Sequence, residues 1–374
     1  VGPFVTWLIE QDLVPVKQFN PYAGSFIRKA KDLAEKLPEP RYVLAMAEGT
    51  REDAHVYVRG SHKNLGDQVP PRCLEALGGR EADRLELADM IASDQNPLTA
   101  RVIVNRVWHH LFGRGIVPTV DDFGPQGQPP SHPQLLDHLA SDLIRNDWSI
   151  KQLLASIVLS KTYQQQSVAH PDLTTDQIAT ADPTNQLLHK MPVKRLSAET
   201  IRDSILAVSG RLDSKQFGPS VATHLTSFMT GRGRPRKSGP LDGNGRRSVY
   251  LALTRNFLNP FMLTFDMPSP FGPQGRRSRS NVPAQALALL NDPFVSEQSG
   301  RWADRMLAIP DMDDRQRAAL MMEQAHGVTP SPAQLDAIEE FLSAQAEAYG
   351  TFDRRAWTDL AHTLFNMKAF YYVK

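Results

Sequence analysis

Between Leu98 and Phe112 the apolar residues Leu98, Val102, Ile103, Val104, Val107, Trp108, Leu111 and Phe112 fall on most sides of a helix, and Gly113 follows as a stop. The pattern predicts a helix packed by neighbours all round. Helical periodicity begins earlier, from about Ala82, with Leu85, Leu87, Ala88 and Ile91 ahead of the cap-like Asp94-Gln95-Asn96-Pro97, so most of the core is expected to start there. Ser131-His132-Pro133-Gln134 has capping-box spacing and opens a helix to about Arg145. Trp148-Ser149-Ile150 begins another, with Leu153, Leu154, Ile157 and Val158 on one stripe, and Ser197 caps a further one carrying Ile201, Ile205 and Val208 before Gly210. Pro283 to Leu290 reads as a short helix. In the last third Ser331-Pro332-Ala333-Gln334 repeats the cap signature, and Trp357, Leu360, Ala361, Leu364 and Phe365 fall at i, i+3, i+4, i+7 and i+8.

Strand-like patterning is sparse. Gly24 to Lys36 is helix-like and ends at Pro38 and Pro40, since proline disfavours helical geometry in the residue before it. Arg41 to Ala47 and His55 to Arg59 then read as short strands flanking a turn at Glu48 to Asp53, with an extended loop, N-L-G-D-Q-V-P-P-R, after them. Phe217 to Gly245 includes G-R-G-R-P-R-K-S-G-P-L-D-G-N-G and predicts a long mobile loop, while Arg247 to Leu253 has strand character. The expected fold is mainly α: a multi-helix domain over residues 81–374, with a basic loop at about 217–245 and one or two short strands. A connector with a small β element over residues 1–80 precedes it.

Composition narrows the function classes. With 42 Lys plus Arg against 41 Asp plus Glu, the net charge of +1 gives no global field toward nucleic acid or an anionic membrane, so any charge argument is local. The lone Cys73 excludes an intrachain disulfide and a cysteine-only zinc cage, and no C-x-x-C-H run attaches a c-type haem here. The opening V-G-P-F-V-T-W-L-I-E-Q has no initiator Met and no basic leader, so it is not a signal peptide and is expected to lie inside a longer polypeptide. No uninterrupted apolar stretch approaches the roughly 20 residues of a membrane span.

The 98–112 helix places Arg101, Asn105 and His109 at i, i+4 and i+8, a polar stripe on an apolar rod, with Arg106 and His110 as a second pair. One reading is a pocket floor where His109 exchanges protons or binds a sugar hydroxyl or anion, with Asp121, Asp122 and His132 delivered by the next loop. The other is a polar network pinning the D-D-F-G-P-Q-G loop to the helix, which the pairing of buried polar groups favours. Adjacent His109 and His110 point about 100° apart and no H-E-x-x-H spacing occurs, so no metal site is expected. Lys194, Arg195, Glu199, Arg202 and Asp203 crowd a helix start, either as an ion-pair network or as an anion-recognition cluster. The basic run Arg232, Arg234, Arg236 and Lys237, with Arg246, Arg247, Arg276, Arg277 and Arg279 further on, lacks the interleaved aromatics of nucleic-acid binding and reads as flexible solvated loop. Neither a G-x-S-x-G elbow nor a P-loop supports nucleophilic or phosphoryl chemistry, and a glycosidase-type carboxylate pair drawn from Asp121, Asp122, Glu199 or Asp266 depends on distances in space.

Four stretches together carry a family resemblance. They are N-P-L-T-A-R-V-I-V-N-R-V-W-H-H-L-F-G-R-G-I-V with D-D-F-G-P-Q-G-Q-P-P-S-H-P-Q-L-L-D-H-L-A, M-P-V-K-R-L-S-A-E-T-I-R-D-S-I-L-A-V-S-G-R-L-D, R-R-S-V-Y-L-A-L-T-R-N with R-S-N-V-P-A-Q-A-L-A-L-L-N-D-P-F-V, and W-T-D-L-A-H-T-L-F-N-M-K-A-F-Y-Y-V. From about Asn96 to Lys374 the chain resembles the C-terminal domain of unknown function of planctomycete cytochrome-c-like proteins, departing from it at Ala369, where relatives carry an acidic residue. The resemblance implies an exported protein, periplasmic, cell-surface or extracellular. It also implies a c-type haem domain and another uncharacterised domain upstream, and a setting of polysaccharide utilisation. No cofactor is expected in this chain. Three functions follow: an accessory module that packs on the haem domain and binds acidic or sulfated polysaccharide or a partner; a carbohydrate-active, even oxidative, enzyme using a His/Asp/Arg pocket; or a structural subunit of an envelope assembly.

Overall fold

In the computed structural model, which describes residues 52–75 and 81–373 together with positions 29, 32, 33, 35, 36, 45 and 46, the first element is a hairpin. Strand β1 (Ala54–Tyr57) pairs antiparallel with β2 (Leu65–Val69), Ala54 facing Val69 and Tyr57 facing Leu65. Residues 65–69, read from the sequence as loop, become the second strand because a turn at Val58–Gly60, with Arg59 at φ 53°, reverses the chain, and Val58 N–H donates to the Asn64 carbonyl at 2.9 Å. Pro70 and Pro71, lacking amide donors, follow where the strand ends. The expected strand at Arg41 to Ala47 lies outside the described residues apart from Ala45 and Met46, which are not in a strand. Of the expected Gly24 to Lys36 helix only Lys29, Asp32, Leu33, Glu35 and Lys36 are described, and these are helical.

The chain divides into two compact units, Val1–Asp83 and Arg84–Lys374. The second opens with α1 (Arg84–Ala92), which departs from expectation: Leu85, Leu87 and Ile91 are exposed and the helix buries none of its residues. Core packing starts one helix later. In α2 (Thr99–Phe112) Ala100, Val104 and Phe112 are buried, and Gly113 closes the helix at φ 83° with its N–H on the His109 carbonyl. Helices α3 (Pro133–Arg145) and α4 (Ile150–Val158) complete a first core, in which Leu136, Leu143, Leu153 and Ile157 pack with Val104 and Ile116. The capping box expected at Ser131 does not form. His132 is the cap residue and its side chain caps no backbone N–H of the helix; the Ser131 hydroxyl instead meets His132 Nδ1 at 2.9 Å and the Ile116 carbonyl at 3.3 Å.

Asn105, on the polar stripe of α2, is fully buried, donating from Nδ2 to the Val117 carbonyl at 3.0 Å and accepting the Val117 N–H at 2.8 Å. Its amide thus substitutes for a backbone partner. Gly115 permits the approach, since a Cβ there would sit 2.4 Å from the Val117 carbonyl oxygen. Asn105→Leu strands both buried backbone groups and is expected to cost about 2–4 kcal/mol, read by denaturant unfolding. A loss under about 0.5 kcal/mol would mean the turn has another support.

After the short α5 (Lys161–Gln164) and α6 (Thr175–Ala181), strand β3 (Lys194–Arg195) leads into a second core. This core is built by α7 (Ala198–Val208), α8 (Pro260–Thr264), α9 (Pro283–Asn291), α10 (Pro293–Leu307), α11 (Asp314–His326), α12 (Pro332–Tyr349), α13 (Arg354–Asn366) and α14 (Lys368–Tyr371). Trp302 stacks on Phe365 at its centre with ring centroids 5.1 Å apart. The Ser331 capping box forms in both halves, and β4 (Tyr372–Val373) returns to pair with β3. The fold is mainly α with small β elements, as the sequence implies.

Residues 217–245 carry little regular structure but are tied down at many points. Val221 bridges Leu251, Gly239 N–H donates to the Thr223 carbonyl at 3.0 Å, and Asp242 is buried. The strand expected at Arg247 to Leu253 is instead a 3-10 turn at Ser248–Tyr250 with a single bridge at Leu251. Its course is set by Ser248, whose N–H donates to Asp203 Oδ1 at 2.8 Å.

Candidate functional site

Consecutive strand residues point to opposite faces, and β3 uses this to stitch the two cores together. Lys194 Nζ donates to the Leu111 carbonyl at 2.5 Å and to that of His110 at 3.3 Å, capping the C-terminal end of α2. Arg195 turns the other way and is buried. It donates to Asp266 Oδ2 at 2.5 Å, to the Phe265 carbonyl at 3.2 Å and to the Ser280 carbonyl at 2.6 Å. Asp266, at φ 62° just past α8, also accepts the Ser280 N–H at 2.7 Å. Burial works against its charge, but the Ser280 amide, Arg195 and the Ser280 hydroxyl together hold its carboxyl below the usual range.

These bonds fix the end of the glycine- and proline-rich loop between α8 and α9 and so place Arg276, Arg277 and Arg279 over α2. Gly275 lets that loop close on Asp121, whose Oδ1 occupies the space a Cβ would need. Arg277 pairs with Glu199 at 2.5 Å. Arg279 has no carboxylate partner among the described residues, and nor do Arg276, Arg106 or Arg114.

Two adjoining depressions share Arg279. The larger, about 220 Å³, is lined by Trp108, Arg114, His132 and Lys194 among others; the smaller, about 50 Å³, by His109, His110, Arg195 and Arg277. The histidine rings lie edge to face, centroids 5.7 Å apart. Burial first, and then His110, Arg279 and Arg276, push the His109 pKa below 6.5, with Asp121 opposing them. His110 is lowered by burial and then by Arg277, Arg279, Lys194 and Arg106. Burial and Arg279 also lower Lys194. His109 Nδ1 is buried with no hydrogen-bond partner. The cleft therefore holds more cationic groups than its carboxylates neutralise, together with two neutral imidazoles.

Of the residues singled out from the sequence, the structure gathers His109 and Arg195 on the smaller depression, with Glu199 held next to it by Arg277 and with Arg106 and Asp121 acting on the histidines through their charge, and sets His132 on the larger one. Arg101 is engaged elsewhere, donating to Asp137 Oδ1 at 2.7 Å and to the Pro97 carbonyl at 2.5 Å. Asn105 serves the Val117 turn. Asp122 does not join His109: its Oδ1 accepts the Gly124 N–H at 2.7 Å and its carbonyl the Thr119 hydroxyl at 2.7 Å, which builds the turn. Arg202 is drawn into the second core, 2% exposed, with Asp203 and Arg247 completing an ion-pair network. The loop cations Arg276 and Arg279 were visible as a basic run. Their convergence on α2 was not, because it depends on the Asp266 and Arg195 anchor some 70 residues apart in sequence. Arg114 carries no sequence signal beyond its charge.

Fold and cleft define a helical module with a half-open cationic site. No helix among the described residues is long and apolar enough to cross a membrane, and they contain no cluster of three or more His, Cys, Asp or Glu able to hold a metal ion. The chain belongs to the PSD1 family of proteins of unknown function (DUF1553), whose profile matches residues 83–342. Neither a curated protein nor a solved structure matches it.

Proposed function

We propose that this chain is a binding module of an exported multidomain protein of polysaccharide utilisation, and that its cationic cleft holds an acidic or sulfated polysaccharide. The observation that carries the reading is a cleft lined by Arg114 and Arg279, neither with a carboxylate partner among the described residues, with Arg106 and Arg276 near enough to act on its histidines through their charge and with Trp108 lining its larger part. Guanidinium groups suit the fork geometry of sulfate and carboxylate, and an indole face suits the apolar face of a sugar ring. Association with an upstream c-type haem domain is part of the same reading. It is supported by the resemblance and by the exposed Leu85, Leu87 and Ile91 of α1, apolar surface of the kind a docked domain covers.

The test is affinity electrophoresis and calorimetry with a sulfated galactan and its desulfated form. The sulfated chain is expected to bind, more weakly as ionic strength rises, and the double variant Arg276→Ala/Arg279→Ala to lose about tenfold or more in affinity with an unchanged melting temperature. Equal retardation by the desulfated galactan, or binding indifferent to the double variant, would sink the proposal.

One observation favours a second reading as a carbohydrate-active enzyme. His109, neutral near pH 7 and with an unpartnered buried Nδ1, is poised to accept a proton, with Asp121 supplying the opposing charge. Under that reading His109→Gln abolishes turnover of a bound glycan while binding persists.

A further inference from the structure

We infer that a separate cavity, between the 224–241 segment and the starts of α8 and α10, is a binding site for a neutral, polyhydroxylated ring the size of one monosaccharide. The cavity holds about 150 Å³ and is lined by Phe261, Phe294, Leu241, Pro260 and Pro293, with Asp292, His224, Asn259, Thr226 and Arg202 supplying its polar atoms. Drug-sized sites start at roughly 300 Å³, so the occupant is small.

The free polar atoms define its chemistry. His224 Nδ1 faces the Gly239 carbonyl at 3.0 Å and therefore carries the proton in the neutral ring, which leaves Nε2 as a lone-pair acceptor. Asp292 uses Oδ1 to cap α10, accepting the Phe294 N–H at 2.9 Å, and its Oδ2 has no protein donor among the described residues. Asn259 likewise spends Oδ1 on the Met262 N–H at 3.0 Å and keeps its Nδ2 donors. Two acceptors and an amide donor on an otherwise apolar wall match a ring bearing adjacent hydroxyls, its C–H face against proline and phenylalanine.

Charge excludes the alternatives. The Arg202 guanidinium disfavours a cation, and most of it is spent on the protein rather than on an anion: its Nη1 donates to the Arg246 carbonyl and the Ser248 hydroxyl, both at 3.0 Å, and its Nη2 to the Asp242 carbonyl at 2.7 Å. Asp292 repels an anion too. Burial raises its carboxyl above the usual range, against the Phe294 amide and His224, as expected of an acceptor held in an apolar cavity that awaits a donor. The site shares no lining residue with the cationic cleft, and its chemistry is the opposite: neutral, half-enclosed and apolar.

The experiment is saturation-transfer NMR and calorimetry on the whole chain with methyl glucoside, methyl galactoside, methyl mannoside and fucose, alongside glucosamine and glucuronate as charged probes. Two variants accompany it. Asp292→Asn keeps a capping side chain but replaces the free acceptor with a donor, and Thr226→Tyr fills the cavity. At least one neutral sugar is expected to bind saturably and to weaken about tenfold or more in both variants, with melting temperatures unchanged. Overturning results are the absence of saturable binding by any neutral sugar, preference for either charged probe, or binding that survives both variants.

Discussion

Arg202→Ala is expected to lower the unfolding free energy by about 3–5 kcal/mol, the range seen when a buried, hydrogen-bonded charge partner is removed. The residue is 2% exposed, and its guanidinium gathers the carbonyls of Asp242 and Arg246, the Ser248 hydroxyl and, at 3.4 Å, Asp203. It also lies over the Phe294 ring, 5.6 Å from its centroid. Those acceptors come from segments without regular structure of their own, so Arg202 takes the place of a sheet or helix in organising residues 242–248. Gly243 marks how tight the fit is, since a Cβ there would meet Arg202 Nη2 at 2.6 Å. Arg202→Lys is not expected to rescue, because an ammonium cannot span the same acceptors in one plane. Thermal and urea unfolding check this. A loss below about 1 kcal/mol in either variant would show that the loop is held by its other contacts.

Affinity for a sulfated polysaccharide is expected to rise several-fold as pH falls from about 8 to about 5.5, over and above any change in the ligand. In the free cleft His109 is held below 6.5 by burial and then by His110, Arg279 and Arg276, and His110 by burial and then by Arg277, Arg279, Lys194 and Arg106. A bound sulfate ester offsets those like charges, so both histidines take up protons more readily in the complex. By linkage, whatever raises their proton affinity binds more tightly in acid, tenfold for each unit by which one histidine rises. The sign for stability is opposite in the free protein. The unfolded chain binds these protons below 6.5 more readily than the folded one, so the histidine contribution to stability is complete above 6.5 and is lost as pH falls below it. Sulfated ligand should therefore protect the fold most at acid pH. NMR titration of the two imidazoles, with and without a sulfated oligosaccharide, reads both effects. Histidine pKa values that do not move on saturation would separate these residues from the bound anion.

Much of the helical frame was legible because its signals are local. Ser149, Ser197 and Ser331 cap helices from within a few residues, Gly113 ends α2 by its own left-handed backbone, and the stripe from Trp357 to Phe365 buries as its spacing requires. Local signals failed where a distant partner competed. Ser131 has the spacing of a cap, but its amide and hydroxyl are drawn to the Ile116 carbonyl, and residues 65–69 became a strand only because 54–57 offered an edge. Leu85, Leu87 and Ile91 show the same limit, having the period of a buried face without its burial.

The sequence by itself determined that the chain is mainly helical, that its net charge is balanced and that arginines concentrate around residues 276–279. Only the tertiary structure decided which arginines are spent and which remain. Arg195 and Arg202, neighbours in one sequence cluster, were both consumed by buried carbonyls and carboxylates, whereas Arg279 and Arg276, in a loop with no periodicity, were left to act on His109 through their charge. The reason is that a guanidinium is satisfied by whatever acceptors packing brings within about 3 Å, and that depends on pairings across 40 to 85 residues of chain that no local pattern encodes.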